Sequence, residues 1–199
     1  ARLAYSQEYH YPVVAVSDKN GGLYAENGLD IPAVRAWAKE HHTLAGYPRA
    51  EVISNEELLL LPADILIPAA LENQITEINA PRIQAKLVVE LANEAIMPAA
   101  YDILADRNIP ALPGIVMNPG GVVGSFLEWS RNLGPIAHTV DHAKIYEETK
   151  RELRAIMQAP MQKLHERSLA EKHSLDDTAH MMVFETLLTK LRMRHGYND

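Results

Sequence analysis

The chain lacks cysteine, long apolar runs and an excess of basic residues, and each shortage excludes a class of protein. None of its 199 residues is cysteine, so disulfide bonds, thiolate catalysis and cysteine-bound metals are excluded. The longest apolar stretch, residues 58–71, is interrupted by Pro62, Asp64 and Pro68, and no segment is predicted to span a membrane. The net charge of -7 argues against nucleic acid or an anionic membrane as the main partner.

The sequence also lacks a clear signal for secretion and a clear set of metal ligands. The chain opens on Ala1-Arg2-Leu3-Ala4, without the basic-then-apolar pattern of a secretory signal, and a cytoplasmic protein is expected. His138 and His142 are four residues apart, but no third ligand lies near them in the sequence. We therefore predict a solvated helix start at these histidines and no metal site.

The first half of the chain has the pattern of an α/β protein. Short β-branched runs alternate with helical patterns, which is typical of βαβ units and a parallel sheet. Residues 13–16 are predicted to form a buried central strand that ends at Ser17-Asp18. Further strands are predicted at residues 65–67, 87–90 and 111–112.

Several helix ends can be predicted from capping residues. Asp30, with Pro32 in the first turn, starts one helix, and the capping box from Ser54 to Glu57 starts a short one. Pro98 opens a helix to about residue 107. Residues 118–121 are predicted to be a Gly-rich turn, and residues 122–133 a helix.

After about residue 140 the pattern becomes helical throughout. Ile145, Thr149 and Leu153 begin a long amphipathic helix, within which Pro160 should cause a kink. Asp176 and Asp177 start a last helix, closed by Gly196, with a stripe of apolar residues on one side: Val183, Phe184, Leu187, Leu188 and Leu191. No Gly-rich phosphate loop follows a first strand, so the fold class is predicted to be a Rossmann-like parallel sheet lacking its first strand and phosphate loop, followed by a helical tail.

The candidate binding residues follow the predicted strands, because ligands of open parallel sheets bind beyond the carboxyl ends of the strands. Asp18 is an acidic strand-end residue of the kind that grips adenosine ribose hydroxyls, although Lys19 beside it could meet a 2′-phosphate. The stretch around Asn73, then Asn93 and Asn118, supplies carboxamides. Each of these residues also has a purely structural explanation, because Asp and Asn are common in turns.

The collinear order of several segments resembles the C-terminal domain of the glutamate dehydrogenase family, which includes the leucine, phenylalanine and valine dehydrogenases. The segments are VAVSD, GGLY, NGLD, ADILIPAALENQIT, NAPRIQAKLVVE, and the stretches around Gly120-Gly121-Val122, Glu128-Trp129 and residues 175–179. The ILIPAALENQIT segment is highly specific. The resemblance implies a dinucleotide-binding domain over residues 1–133 and a helical tail over residues 134–199 that packs toward a substrate domain absent from this chain.

The resemblance also implies roles for individual residues. Asp18 would bind the adenosine ribose, and Ser125 would touch the amino-acid substrate. Other residues would line the dinucleotide path or contact its nicotinamide side: Ala69, Ala70, Asn73, Asn93 and Asn118. The reaction would be reversible oxidative deamination with NAD or NADP, most simply of glutamate to 2-oxoglutarate and ammonia, in a protein that is usually hexameric. The family's catalytic lysine and aspartate belong to the substrate domain, so no catalytic residue is predicted in this chain.

Two departures from the family pattern leave a second hypothesis open. Residues 91–96 read LANEAI where the family usually has GANGPT, so Leu91 and Glu94 replace glycines. Pro119 stands within the family's Asn-Ala-Gly, and Phe126 replaces a tyrosine. We therefore expect either a divergent enzyme with altered preference or a non-catalytic regulatory subunit that binds nucleotide or amino acid without turnover.

Overall fold

The computed structural model describes residues 11–132 and 142–195. Contacts divide them into two compact units. The first contains the described residues up to Ala63 together with Arg82–Ala85, and the second contains Asp64–Pro81 and the described residues from Lys86 onward.

The first unit is built on an antiparallel sheet. Strands β1 (Ala15–Asp18), β2 (Gly21–Tyr24) and β3 (Glu51–Ile53) pair in the order β1-β2-β3. Helix α1 (Ile31–His41) supplies Ile31 and Val34 to a core around Leu23. Helix α2 (Asn55–Leu59) follows β3 directly.

The prediction that residues 13–16 form a buried central strand of the parallel sheet is wrong. Strand β1 begins at Ala15, is only half-buried, and pairs among the described residues with β2 alone, in antiparallel register. The tight turn at Lys19-Asn20 explains the difference, because it returns the chain at once beside the strand it has just left. An apolar run alone cannot distinguish these two arrangements.

The predicted helix starts in this unit are confirmed. The Asp30 carboxylate accepts a hydrogen bond from the Ala33 backbone N–H at 3.1 Å, with Pro32 in the first turn of α1. At α2, the Ser54 hydroxyl accepts from the Glu57 N–H at 3.1 Å and the Glu57 carboxylate accepts from the Ser54 N–H at 2.7 Å. Each cap satisfies donors that the first turn of a helix leaves unpaired.

The second unit contains the parallel sheet. Strands β4 (Ile65–Leu66), β5 (Leu87–Val89) and β6 (Ala111–Leu112) lie in the order β4-β5-β6, and both pairings are parallel. A 3-10 turn (Ala80–Arg82) precedes β5, and helix α3 (Pro98–Asp106) connects β5 to β6. The predicted fold class, an α/β protein with a small parallel sheet followed by C-terminal helices, is confirmed.

The predicted turn at residues 118–121 is wrong. Helix α4 (Gly114–Met117) and helix α5 (Pro119–Asn132) are separated by Asn118 alone, which itself has right-handed backbone angles of φ -83° and ψ -18°. Pro119 explains the continuation, because a proline in the first turn of a helix needs no N–H partner and already has a helical φ. Gly120 and Gly121 therefore lie inside a helix.

The tail consists of helices α6 (His142–Glu171) and α7 (Leu175–His195). Leu164 and Ala179 are fully buried, whereas the predicted stripe on α7 is exposed at Phe184, Leu187, Leu188 and Leu191. Pro160 lies within α6, and the kink expected there remains a prediction.

Several predictions about the tail concern residues outside those that the structure describes. The predicted boundary between residues 133 and 134, His138, and the Gly196 expected to close the last helix fall outside the described residues. The domain division therefore remains a prediction. Within residues 11–132 and 142–195, no helix combines the length and the apolar character needed to cross a membrane.

Candidate functional site

Two loops meet at the carboxyl edge of the parallel sheet. The loop after β4 and the loop after β5 are joined by backbone hydrogen bonds: the Leu91 N–H donates to the Pro68 carbonyl at 2.9 Å, and the Asn73 N–H donates to the Glu94 carbonyl at 2.8 Å. The chain of the first loop then pairs with the second in a parallel bridge between Ile75 and Ile96. The ILIPAALENQIT segment and the LANEAI segment therefore form one continuous surface.

The predicted residues of the first loop lie on this surface. Ala69, Ala70 and Asn73 are all exposed. Asn73 has a φ of 53°, a left-handed conformation that asparagine tolerates better than most residues. Its backbone geometry accounts for an asparagine here without any ligand, and its side chain remains available to one.

Asn93 and Asn118 are brought into direct contact. The Asn118 Nδ2 donates a hydrogen bond to the Asn93 Oδ1 at 3.0 Å, although 25 positions separate the two residues in the sequence. The other end of the Asn118 carboxamide, Oδ1, is buried and has no hydrogen-bond partner. A buried acceptor without a donor is costly, so this atom is suited to a donor supplied by a ligand.

Sequence reasoning missed the residue beneath this pair, Glu90. Only 4% of its surface is exposed, and its carboxylate accepts from the Ile96 N–H at 2.9 Å, the Tyr101 hydroxyl at 2.8 Å and the Gly114 N–H at 2.5 Å. Burial, followed by the hydrogen bond and the charge of Glu90, raises the pKa of Tyr101, so the phenol remains a donor. The signal in the sequence is an acidic residue closing the apolar strand LVVE.

Asp18 lies in the first unit, at the end of β1. Its Oδ1 accepts from the Asn20 N–H at 2.7 Å, and its Oδ2 accepts from the Leu44 N–H at 3.0 Å. These bonds give Asp18 a structural role in the turn and hold the carboxylate in one orientation. Each oxygen can still accept a second hydrogen bond, because an ionised carboxylate has about four lone-pair sites.

Ser125 and the two departures around Pro119 lie on α5. Ser125 is exposed, and no hydrogen bond among the described residues joins its side chain to the Asn93–Asn118 pair. Phe126 is 58% exposed and packs beside Trp129 at 5.9 Å between ring centroids. The loss of a tyrosine hydroxyl at Phe126 therefore leaves no buried partner unsatisfied.

The departures at Leu91 and Glu94 have different structural consequences. Leu91 is 43% exposed, so its side chain extends from the surface and is not packed into the core. Glu94 is exposed with a φ of 54°, a conformation that favours glycine, the residue that the family usually has at this position. Glu94 therefore places both backbone strain and a negative charge next to Asn93.

Replacing Glu94 with glycine is expected to stabilise the protein by about 0.5–1 kcal/mol. The left-handed conformation costs a non-glycine residue about 1–2 kcal/mol, of which the greater freedom of glycine in the unfolded chain offsets about 0.5–1 kcal/mol. Urea denaturation of the two proteins measures the difference. Lys172→Gly is the matched control, because Lys172 has a φ of 57° at the end of α6. A gain for Lys172→Gly and none for Glu94→Gly would contradict the strain at Glu94.

No metal centre emerges from the part of the chain that the structure describes. Residues 11–132 and 142–195 contain no cluster of three or more His, Asp or Glu side chains arranged to hold an ion. His142 begins α6, and His138 lies outside the described residues.

Comparison with known proteins identifies curated relatives over 72% and 61% of the chain. Glutamate dehydrogenase of Thermotoga maritima is 46% identical over 144 residues, which are 72% of this chain and 35% of that protein. An NADP-specific glutamate dehydrogenase of Synechocystis sp. is 48% identical over 131 residues, or 61% of this chain and 31% of that protein. The chain thus spans about a third of the length of these curated relatives.

Solved structures of glutamate dehydrogenases are also similar to this chain. The hetero-hexameric glutamate dehydrogenase of Thermus thermophilus, in its leucine-bound form, superposes with a TM-score of 0.81 at 27% identity, over 98% of this chain and 44% of that one. The glutamate dehydrogenase of Peptoniphilus asaccharolyticus gives a TM-score of 0.75 at 26% identity, with the same coverage of 98% and 44%. The family model for Glutamate/Leucine/Phenylalanine/Valine dehydrogenase matches residues 2–195. The chain belongs to this dehydrogenase family.

Proposed function

We propose that this chain is the cofactor-binding part of an NAD(P)-dependent amino-acid dehydrogenase that interconverts glutamate with 2-oxoglutarate and ammonia. The observation that carries the proposal is the carboxamide pair at the carboxyl edge of the parallel sheet, where the buried Asn118 Oδ1 lacks a donor. The curated relatives named as glutamate dehydrogenases support the choice of substrate.

The residues at this edge fit a dinucleotide. The carboxamide of nicotinamide carries an N–H₂ donor, which complements the unpartnered Asn118 Oδ1. Ala69 and Ala70 present small exposed side chains, so a planar ligand can lie close to their backbone. We assign Asn93 and Asn118 to the nicotinamide side of the cofactor, and Asn73 to the path beside it.

We assign Asp18 to the adenosine ribose of the cofactor. The Asp18 carboxylate is held by two backbone N–H groups and retains free acceptor positions, which suits the ribose hydroxyls of NAD. Lys19 is exposed next to it and could instead pair with the 2′-phosphate of NADP. Several curated relatives carry the name NADP-specific glutamate dehydrogenase, so both cofactors are tested.

In the proposed reaction this chain binds and orients the cofactor and the amino acid. The bound nicotinamide supplies the hydride acceptor for substrate oxidation. Asn93 and Asn118 would fix the plane of its ring, and Ser125 would contact the amino acid. We assign no proton transfer to this chain; the acid and base would come from a substrate domain, with residues 1–133 as the dinucleotide domain and residues 134–199 as the tail packing toward it.

We also propose that the parent protein is a cytoplasmic homo-oligomer, most simply a hexamer. The Thermus thermophilus relative is hetero-hexameric. The apolar stripe on α7 supports burial against another part of the assembly, because Phe184, Leu187, Leu188 and Leu191 are each more than half exposed. Size-exclusion chromatography with light scattering measures the oligomeric state.

The direct test is to measure binding and turnover by the full-length protein. NAD and NADP are titrated against it, and the oxidation of glutamate, leucine, phenylalanine and valine is followed by the absorbance of the reduced cofactor. The proposal expects dinucleotide binding and oxidation of glutamate above the other amino acids. Failure to bind either dinucleotide would overturn it, and preference for another amino acid would overturn the substrate assignment alone.

A non-catalytic regulatory subunit is the second candidate. The charge of Glu94, which stands beside the proposed nicotinamide contacts where the family usually has glycine, favours it. Binding of a nucleotide or an amino acid without turnover would support this candidate over the enzyme. Turnover by the unmodified full-length protein would exclude it.

Replacing Asp18 with asparagine is expected to shift cofactor preference toward NADP by at least about fivefold. Removing a charge about 4 Å from a phosphate relieves about 1 kcal/mol of repulsion even at the dielectric constant of water. Lys19→Ala should shift the preference the other way. The measurement is the ratio of the two dissociation constants, which cancels any general loosening of the turn. If neither variant changes the ratio, Asp18 and Lys19 do not contact the ribose.

A further inference from the structure

Glu90 is a buried carboxylate held by neutral donors. Its three donors are two backbone N–H groups, of Ile96 and Gly114, and the Tyr101 hydroxyl. Burying an ionised carboxylate is costly unless hydrogen bonds replace the water it loses. An apolar side chain at the end of β5 would be buried at a lower cost in free energy. The presence of a carboxylate there therefore calls for a functional explanation.

The two backbone donors lie between the two asparagines in the sequence, and each is close to one of them. Ile96 lies three residues after Asn93, and Gly114 lies four residues before Asn118, whose N–H donates to the Gly114 carbonyl at 2.8 Å. One carboxylate therefore binds both the loop that carries Asn93 and the helix start that positions Asn118. The paired asparagines are 25 positions apart; the parallel pairing of β5 with β6 brings their segments side by side, and the Glu90 carboxylate joins them beyond the strand ends.

The Glu90 carboxylate and the Asn118 carboxamide pack against Gly114 without space for a side chain there. A Cβ built on Gly114 would lie 2.7 Å from the Glu90 Oε2 and 2.8 Å from the Asn118 Nδ2. The carboxylate and the carboxamide thus lie against the same backbone position. A displacement of the Glu90 carboxylate would displace the Gly114 backbone and, with it, the donor that Asn118 offers to Asn93.

We propose that Glu90 is a positioning residue for the dinucleotide site: it fixes the relative placement of Asn93 and Asn118 without touching the cofactor. This inference rests on the proposed function, in which those two carboxamides contact the nicotinamide. A merely structural Glu90 would lower stability when replaced but leave the affinity of the folded protein for the cofactor unchanged.

Glu90→Gln tests the proposal with almost no change of volume. A glutamine has one acceptor oxygen where the glutamate has two, so at least one of the Ile96 and Gly114 N–H groups faces an N–H₂ group. We expect dinucleotide affinity to fall about tenfold in the full-length protein, with kcat/KM falling by a similar factor. Tyr101→Phe removes only the hydroxyl donor and should weaken binding by a smaller but measurable factor of about two to three.

Two readouts separate positioning from stability. Leu164→Ala destabilises the same unit at a fully buried site on α6, and its folded form should bind dinucleotide like the unmodified protein. Backbone hydrogen exchange, measured without any cofactor, should rise in Glu90→Gln for peptides covering residues 91–97 and 113–118. Peptides from α1, in the other unit, should be unchanged.

The outcomes are distinguishable. If the unmodified protein binds neither NAD nor NADP, the proposed function and this inference fail together. If it binds dinucleotide and Glu90→Gln binds equally well, only the positioning role is overturned. If Glu90→Gln fails to fold, Tyr101→Phe decides the matter: a measurable loss of affinity at unchanged stability supports the proposal, and unchanged affinity overturns it.

Discussion

Gly114→Ala is expected to destabilise the protein by about 1–3 kcal/mol and to weaken dinucleotide binding, because an added methyl group has no space in this packed position. The new Cβ would lie 2.7 Å from the Glu90 Oε2 and 2.8 Å from the Asn118 Nδ2, and both distances are shorter than real carbon contacts. Glu90 cannot move freely, since it is 4% exposed and bound by three donors, and moving the Asn118 Nδ2 would break its hydrogen bond to the Asn93 Oδ1. Denaturation in urea and cofactor titration measure the two effects.

Gly124→Ala is the matched control for this substitution. Gly124 lies within α5, and a Cβ built on it would meet no atom within 4 Å. Alanine is favoured over glycine in a helix by about 0.8–1.0 kcal/mol, so this variant should be slightly stabilised. If Gly114→Ala were as stable as the unmodified protein, the close packing of Glu90 and Asn118 around Gly114 would be wrong.

The second large effect is expected at Ile75, near the end of the ILIPAALENQIT segment. Ile75→Ala should destabilise the protein by about 2–5 kcal/mol, because truncating a fully buried side chain loses apolar contact and leaves a cavity. Its backbone also connects the two loops of the site: the N–H donates to the Ala95 carbonyl at 2.9 Å, and the carbonyl accepts from the Met97 N–H at 2.9 Å. The cost is read from the midpoint and slope of the urea transition.

The control for this substitution lies three residues further along the chain. Ile78 is 81% exposed, so Ile78→Ala should change stability by less than about 0.5 kcal/mol. A similar loss for both isoleucines would show that burial does not decide the effect. A loss for Ile75→Ala alone would identify that residue as the structural support beneath the proposed dinucleotide path.

The candidate site could be predicted in part. Asn93 and Asn118 follow a strand and precede a helix, positions from which side chains can reach the carboxyl edge of a parallel sheet. Their contact could not be read from the sequence, because it depends on how a loop and a helix start pack across β5 and β6. Glu90 was missed for a similar reason: its three partners come from segments up to 24 positions away.

Local interactions explain which elements the sequence determined by itself. Asp30 caps α1, and Ser54 with Glu57 caps α2, because each cap is a contact between residues three positions apart. Hydrogen bonds over so short a separation need no knowledge of the rest of the fold. The parallel strands at residues 65–66, 87–89 and 111–112 were also identified, since buried strands are short apolar runs.

Tertiary structure decided what depends on distant partners. It placed β1 in an antiparallel sheet, because an apolar run does not specify the direction of its neighbour. It also brought the Glu90 carboxylate to the Ile96 and Gly114 N–H groups, near Asn93 and Asn118 in the sequence. No local sequence pattern predicts this contact. The sequence thus determined the elements and the family, while packing between distant segments determined how the candidate site is held.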